Sequence, residues 1–172
     1  NKKGVLFAAE ECLNGEDAVV LKYLRNFLED IVVLKENQDY SLGELKFTTS
    51  IRHEHPAETY GIKFNVNGAV VSFMVDTKFF PGLMQNYAES DIMVINAVMF
   101  NPHDSPRIKH LCIDDVKKIV SGIKPKKVIL THFGMTMLRA KPRKVAEKLG
   151  KELGADVVAA SDGMKFVVDG VM

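Results

Sequence analysis

Two residues that could bind a metal ion stand where predicted strands end. His132 follows the apolar run of residues 128–130, and Asp76 follows a second run, residues 70–75. Apolar runs this short favour strands that are buried on both faces. Ligands of open α/β sheets bind at the carboxyl ends of the strands, so both side chains are expected at one rim. Imidazole and carboxylate groups bind zinc, manganese and iron, although such a His can be merely hydrogen-bonded and such an Asp can cap a helix.

Two further histidines, His53 and His55, follow a predicted strand at residues 45–51. If the backbone stays extended, alternate residues share a face, so both imidazoles are expected on the same side. An Asn-Gly pair at residues 67–68 separates two alternating apolar runs and indicates a type I′ hairpin. This hairpin places the strand that leaves His55 beside the strand that ends at Asp76, which favours a shared site. A solvated loop is the other interpretation of the two histidines.

The remaining segments alternate between predicted strands and helices. Further strands are expected over residues 4–9, 30–34, 91–96, 127–132, 156–160 and 164–168, and helices within residues 10–30, 81–88, 112–121 and 142–153. Residues 36–43 have the composition of a turn. The alternation predicts a single α/β domain over residues 1–172 with a mixed sheet.

Composition limits the class of protein. The chain has 172 residues, of which 47% are hydrophobic and 26% charged, as in one soluble globular domain. No apolar run approaches the ~20 residues of a membrane span, and the start does not have the pattern of a secretory signal, so no membrane partner is expected. The two cysteines, Cys12 and Cys112, lie far apart and form no disulfide framework, which predicts a reducing, cytoplasmic location.

Charge is distributed unevenly along the chain. Residues 1–100 contain 9 Lys and Arg against 14 Asp and Glu, whereas residues 101–172 contain 14 against 8. A basic half beside a metal site would suit an anionic substrate, either a small molecule or a nucleic acid. Arg139 and Lys141 are the candidates for contact with a substrate phosphate. A solvated basic helix face is the alternative interpretation.

From the histidine pair onward, the order of motifs resembles the metallo-β-lactamase superfamily. The resemblance covers residues 48–168 and is strongest to the branch that contains ribonuclease Z and the cyclic-phosphate phosphodiesterases. His55 stands six residues before Gly61, Asp76 precedes a threonine, and His132 lies in a Thr-His-Phe stretch, as in that branch.

The resemblance implies roles for these residues. His55 and His132 would each hold one of up to two divalent metals, zinc first with manganese or iron as alternatives, and Asp76 would bridge them. His110 lies 22 residues before His132, where ribonuclease Z has a non-ligand histidine that serves the leaving group. A metal-bound hydroxide would be the nucleophile, and His110 would protonate the departing oxygen. His53 would orient a ligand, or replace His55 as one.

The family's most diagnostic motif, His-x-His-x-Asp-His, does not occur in this sequence, which begins with Asn1. We therefore expect the carboxyl-terminal portion of a longer metallo-hydrolase: one αβ half, plus part of the middle, of the four-layer αβ/βα sandwich. Such a chain should be nearly inactive alone. It should also expose an apolar sheet face, or bury it against a missing amino-terminal half or a second copy.

The predicted function is metal-dependent hydrolysis of a phosphodiester, with RNA as one candidate substrate. Hydrolysis of a thioester or lactone at the same metal site is the first alternative, and a non-catalytic α/β module for binding or dimerisation is the second. If a metal site exists, the ligand atoms of His55, Asp76 and His132 should lie within about 6 Å of one another.

Overall fold

The computed structural model describes residues 3–168, which form two β-sheets and a layer of helices. The ends of the predicted domain, residues 1–2 and 169–172, lie outside the described residues. In chain order the strands are β1 (Val5–Ala9), β2 (Asp30–Leu34), β3 (Asp39–Leu42), β4 (Leu45–Arg52), β5 (Tyr60–Val66), β6 (Ala69–Met74), β7 (Ile92–Asn96), β8 (Lys127–Thr131) and β9 (Asp156–Ala159). The helices are α1 (Glu10–Asn14), α2 (Lys22–Arg25), α3 (Gly82–Asn86), α4 (Ile113–Ile123), α5 (Met135–Ala140) and α6 (Pro142–Leu153).

The larger sheet contains β3 to β9 in unbroken chain order. Its strands pair antiparallel from β3 to β6 and parallel from β6 to β9. The turn between β5 and β6 is made by Asn67 and Gly68, both at positive φ, as a type I′ turn requires. Each parallel connection returns through helices, because parallel strands need a crossover. The predicted mixed sheet and its Asn-Gly hairpin are therefore confirmed.

One face of the larger sheet packs against the helices and forms the hydrophobic core. Alternate residues of β6 to β8 point into it, including Met74, Met93 and Leu130, all fully buried. Helix α4 contributes residues at helical spacing on one side, among them Val116 and Ile119. This arrangement of one sheet and one helix layer is an αβ half of a sandwich, as the sequence predicted.

The opposite face of the larger sheet is apolar as well. Strand register places five apolar residues side by side across it: Ile62, Phe73, Val94, Ile129 and Val158. The side chain at the middle of the mixed region, Phe73, is 37% exposed. The sequence predicted an apolar face of this kind, and its burial against a second copy or a further half stays a prediction.

The smaller sheet consists of β1 and β2, which pair in parallel. It contacts the larger sheet through aromatic side chains. The ring centroid of Phe7 lies 5.1 Å from that of Phe47 and 5.9 Å from that of Tyr40. A second sheet thus faces the first at its β3–β4 end, which is the geometry of a layered sandwich.

Several element boundaries differ from the sequence-based expectation. Residues 10–30 contain only the short helices α1 and α2, because Gly15 ends the first of them and the apolar pattern beyond it is not buried: Val19 is 73% exposed and Phe27 is 61% exposed. Residues 36–43 contain strand β3, not a turn alone. It pairs with β4 across a tight connection in which Gly43 has a φ of +59°.

The end of the chain also differs from expectation. Residues 164–168 are irregular and not a strand, since the sheet ends at β9 and a turn between Ser161 and Met164 leads away from it. Helix α5, which the sequence did not indicate, begins after Gly134 and buries Met137 in the core.

Candidate metal centre

The carboxylate of Asp76 lies at the rim where the parallel strands end. Asp76 follows β6, and the next strand, β7, ends at Asn96, whose side-chain amide donates a hydrogen bond to Asp76 Oδ1 at 2.9 Å. Strand β8 ends beside it, with Thr131 opposite Asn96. The amide therefore holds the carboxylate in a defined orientation at the carboxyl ends of three neighbouring strands.

Three imidazoles surround this carboxylate. His110 Nδ1 lies 3.6 Å from Asp76 Oδ1, and His132 Nε2 lies 3.5 Å from the same oxygen. Ligand atoms of His55, Asp76 and His110 all lie within 4.8 Å of one another. The ring of His110 is 5.4 Å from that of His55 and 6.3 Å from that of His132, measured between centroids. The structure thus brings the predicted residues around Asp76 and places His110 among them.

The loop that carries His55 is fastened to the segment that carries Asp76. The backbone N–H of Lys78 donates to the carbonyl of Glu54 at 3.1 Å, and the N–H of Glu54 donates to the Thr77 hydroxyl at 3.2 Å. These bonds cross directly between residues flanking the two candidate ligands. The distance between the imidazole and the carboxylate is therefore set by backbone contacts and not by side-chain rotation alone.

The backbone at His132 adopts an unusual conformation. Its φ is +57°, in the left-handed region that residues other than glycine rarely occupy. The residue lies immediately after β8. The N–H of Ala97 donates a hydrogen bond of 2.9 Å to the carbonyl of Thr131, the last residue of that strand. This turn lifts the imidazole from the strand end towards Asp76, and such strained positions are frequent at functional sites.

The donor atoms fit a divalent cation. Nδ1 of His110 is buried and makes no hydrogen bond within residues 3–168, although it faces a carboxylate oxygen. Burial lowers the pKa of His110, the neighbouring imidazoles lower it further, and Asp76 opposes the shift. Burial thus favours the neutral form of His110, which has a lone pair to offer. Imidazoles around one carboxylate are the nitrogen and oxygen donors that zinc, manganese and iron accept.

His53 occupies a different environment from His55. Strand β4 ends at Arg52, so the extended backbone that would place both histidines on one face does not persist. The ring of His53 is 2% exposed, with Nε2 at 2.9 Å from the Tyr87 hydroxyl and 3.2 Å from the Ser50 hydroxyl. Among the described residues, His53 is not part of the group of converging ligand atoms.

The same buried network explains the glycine six residues after His55. The N–H of Gly61 donates to the Ser50 hydroxyl at 2.8 Å. A Cβ atom at Gly61 would lie 1.8 Å from the Tyr87 hydroxyl and 2.5 Å from the Phe73 carbonyl oxygen. A side chain at position 61 would therefore displace Tyr87. The six-residue spacing from His55 to Gly61 thus reflects the packing beneath the loop that carries His55.

We expect the stability of the fold to fall on acidification because of His53. Burial lowers its pKa from 6.5 to about 4, and the backbone of Asp76 and Val75 opposes this only in part. Between these values the unfolded chain binds the proton and the folded chain does not, so stability present above pH 6.5 is lost as pH falls towards 4. The free energy of unfolding should fall by roughly 2 kcal/mol from this group between about pH 7 and 4.5.

Urea unfolding at the two pH values measures this loss. His53→Gln, which keeps a hydrogen-bonding group near Tyr87, should show a flatter pH dependence than the wild type. His103→Ala, at an exposed position, should leave the dependence unchanged. An equally steep loss in His53→Gln would assign the effect to other groups.

An open cavity of about 440 Å³ adjoins the cluster. His55 and His110 belong to its lining, and its cations are Arg107 and Lys109. The predicted phosphate contacts, Arg139 and Lys141, are exposed and do not line it.

The sequence analysis did not identify three residues of the site and its cavity: Arg107, Lys109 and Asn96. Of these three, Asn96 could have been recognised, because it is a polar residue that ends an apolar run, much as Asp76 follows one.

Known proteins agree with this fold. Residues 13–133 match the beta-lactamase superfamily domain, and the chain therefore belongs to the beta-lactamase superfamily. That family consists mostly of metal-dependent hydrolases, and its members typically bind divalent metals. The uncharacterized protein MJ1374 of Methanocaldococcus jannaschii is 27% identical over 172 residues, which are 95% of this chain and 62% of that protein.

Solved structures show the same architecture. The metallo-beta-lactamase fold protein YhfI from Bacillus subtilis superposes with a TM-score of 0.73 at 12% identity, over 93% of this chain and 63% of its own. A diphosphatase of the PhnP family gives 0.69 at 23% identity, over 97% and 60%. The short form of human tRNase Z gives 0.60 at 12% identity, over 93% and 66%. The chain thus spans about 60% of the length of the first relatives it matches.

No helix within residues 3–168 is both long enough and apolar enough to cross a bilayer.

Proposed function

We propose that this chain carries part of the active site of a metal-dependent phosphodiesterase. His55 and His132 would hold one or two divalent cations, most simply zinc, with manganese or iron as alternatives, and Asp76 would be their shared ligand. The observation that carries the proposal is the approach of three imidazoles to one carboxylate, with His110 and His132 at 3.6 and 3.5 Å from its Oδ1 and His55 within 4.8 Å of the carboxylate. When bound, such a cation lowers the pKa of a coordinated water and neutralises charge that develops on a phosphoryl oxygen.

The residues of the chain perform the remaining tasks. Asn96 orients Asp76 through its hydrogen bond to Oδ1, so the carboxylate presents the same oxygen to both His110 and His132. His110 lies on the border between the cluster and the open cavity. From there it donates a proton to the oxygen of the leaving group as the bond from this oxygen to phosphorus breaks. The leaving group departs as an alcohol. Its lowered pKa means that this proton must come from the reaction itself or from solvent.

The choice of a phosphodiester rests on charge and on similarity. Residues 101–172 have an excess of Lys and Arg, and the cavity beside the cluster carries Arg107 and Lys109. Two structural neighbours are described as a diphosphatase and as a tRNase, which supports a phosphoryl substrate and keeps RNA among the candidates.

The proposed location is the cytoplasm, because the free cysteines, Cys12 and Cys112, suit a reducing compartment.

The chain alone is proposed to be nearly inactive. It offers fewer ligands than a complete two-metal site needs, and it spans about 60% of its relatives. A further amino-terminal half, or a second copy of the chain, would supply the remainder. The apolar sheet face that contains Phe73 is the surface for that contact.

Hydrolysis assays on a protein of the relatives' full length test the function. With zinc or manganese added, it should hydrolyse bis(p-nitrophenyl) phosphate, lose this activity with a chelator and regain it with metal. The 172-residue chain should remain near background under the same conditions. Faster turnover of a thioester or lactone would favour that chemistry at the same site, and metal binding far from Asp76 would favour a non-catalytic module.

A further inference from the structure

We propose that the cavity beside His110 is the subsite for the leaving group, and that it takes a flat apolar group bearing a second negative charge. The inference rests on the proposed function, because it identifies one side of the scissile bond. We call this cavity the His110 cleft. Its lining residues include His55, His110, Val98, Met99, Ile108 and Met135.

The position of the cleft relates it to the leaving group. His55 and His110 belong both to the cluster and to the cleft, whereas Asp76 belongs to the cluster and is not among the residues that line the cleft. His110 is the residue proposed to protonate the departing oxygen. Atoms attached to that oxygen on the side away from phosphorus must therefore extend past His110, and the cleft is the space that receives them.

The walls of the cleft are apolar and partly rigid. Val98 is fixed by a hydrogen bond from the N–H of Gly134 to its carbonyl at 3.0 Å. A Cβ atom at Gly134 would lie 2.7 Å from that carbonyl oxygen, so glycine is needed for the approach. At the mouth, Ile108 is 39% exposed and Met135 is 62% exposed. Large apolar side chains at a cleft mouth gain from covering an apolar ligand, and methionine adapts well to a flat ring.

The electrostatics of the cleft favour an anion. Arg107 and Lys109 line it, and none of its lining residues carries a carboxylate. Within residues 3–168 neither cation forms an ion pair with Asp or Glu. Unpaired cations with apolar walls raise the local concentration of negative ligands. The leaving alcohol is therefore expected to carry a charge of its own in addition to the scissile phosphoryl group.

The volume of about 440 Å³ lies within the range of small-molecule sites and is sufficient for a ring system with an attached anionic group. Simple aryl phosphates and nucleoside phosphates share this chemistry.

Binding to the metal-free full chain tests the inference without relying on turnover. Titration calorimetry would compare phenyl phosphate with methyl phosphate, which have the same charge and differ in the apolar group. It would also compare uridine 5′-monophosphate with ribose 5-phosphate, which differ in the base. Phenyl phosphate should bind roughly tenfold more tightly than methyl phosphate. The two nucleotide probes reveal whether a base or a simple ring is preferred.

Variants at exposed positions separate the two parts of the inference. Ile108→Ala with Met135→Ala should reduce the preference for the aromatic probe by roughly tenfold, while Leu138→Ala, exposed on the same helix as Met135, should not. Arg107→Gln should weaken aromatic and non-aromatic phosphates equally, while Arg143→Gln, at an exposed position outside the cleft, should weaken neither. All five positions are exposed, so thermal unfolding should be unchanged.

Equal binding of phenyl and methyl phosphate, or a preference that survives Ile108→Ala with Met135→Ala, would overturn the inference. If bis(p-nitrophenyl) phosphate is nevertheless hydrolysed by the longer protein with metal, the proposed function stands and only the subsite is wrong. If the aromatic preference holds but no diester is hydrolysed, the proposed function fails and the cleft is a binding site without the role of a leaving-group subsite.

Discussion

Asp76→Ala is expected to remove bound metal and activity together. Asp76 Oδ1 lies 3.6 Å from His110 Nδ1 and 3.5 Å from His132 Nε2, and it is the carboxylate of the converging group. Without it the imidazoles face each other with no negative charge to offset a cation. The rate of diester hydrolysis should fall by roughly 10²-fold or more. Metal analysis of the dialysed protein, together with the rate, measures both effects.

Two further variants define the reason for that loss. Asp76→Asn keeps the shape of the side chain and an oxygen for the Asn96 amide, but it removes the charge. If charge is what binds the cation, this variant should lose metal nearly as fully as Asp76→Ala. Asp104→Ala, at an exposed position in the loop after β7, should retain both metal and activity. Full metal content in Asp76→Ala would show that the cation is bound elsewhere.

His110→Ala is expected to lower turnover while leaving metal content nearly unchanged. Loss of a general acid typically costs roughly 10²–10⁴-fold in rate. The loss should be smaller for a substrate that releases nitrophenolate, because an acidic leaving group needs little protonation. Rates on a good and a poor leaving group, together with metal analysis, measure this. Asp104→Ala is the control, since it changes an exposed side chain in the same connection between β7 and α4 that does not line the His110 cleft.

The His110→Ala experiment distinguishes two roles of His110, proton donor and metal ligand. A ring nitrogen of His110 lies within 4.8 Å of ligand atoms of His55 and Asp76, so His110 is placed where a third ligand could stand. If His110→Ala loses metal as fully as Asp76→Ala, His110 is a ligand and the proposed division of roles is wrong. If the rate falls equally for both leaving groups, His110 does not supply the proton.

The parts of the fold that could be predicted are those coded by neighbouring residues. The hairpin at Asn67 and Gly68 follows from the positive φ that both positions adopt, and the core strand β8 follows from its apolar run. Strand β3 could not be recognised in the same way, because its residues become a strand only by pairing with β4. Helix α5 is short, and its first turn has neither a capping side chain nor an acidic residue, so Arg139 in its last turn is too weak a signal to predict it.

The candidate site was predictable where it depends on strand ends and unpredictable where it depends on loops. Asp76 and His132 each follow a buried strand, so a shared rim was expected before any distance was known. The separation of His53 from His55 could not be predicted in this way. It depends on the end of β4 at Arg52 and on the buried hydroxyl groups that hydrogen-bond to His53. The His110 cleft is built largely from residues 98–110, which have no periodicity from which a contact could be inferred.

The chain order of the larger sheet has a consequence for how the site is assembled in the cell. Each strand from β4 to β9 pairs with the strand synthesised just before it. The sheet therefore grows at one edge as the chain leaves the ribosome, and contacts between such neighbours form faster than contacts between distant segments. His55 emerges first, then Asp76, then His110, and His132 last. The carboxylate is thus already in the sheet when the later imidazoles arrive, and the donor set is completed only once β8 has joined its edge.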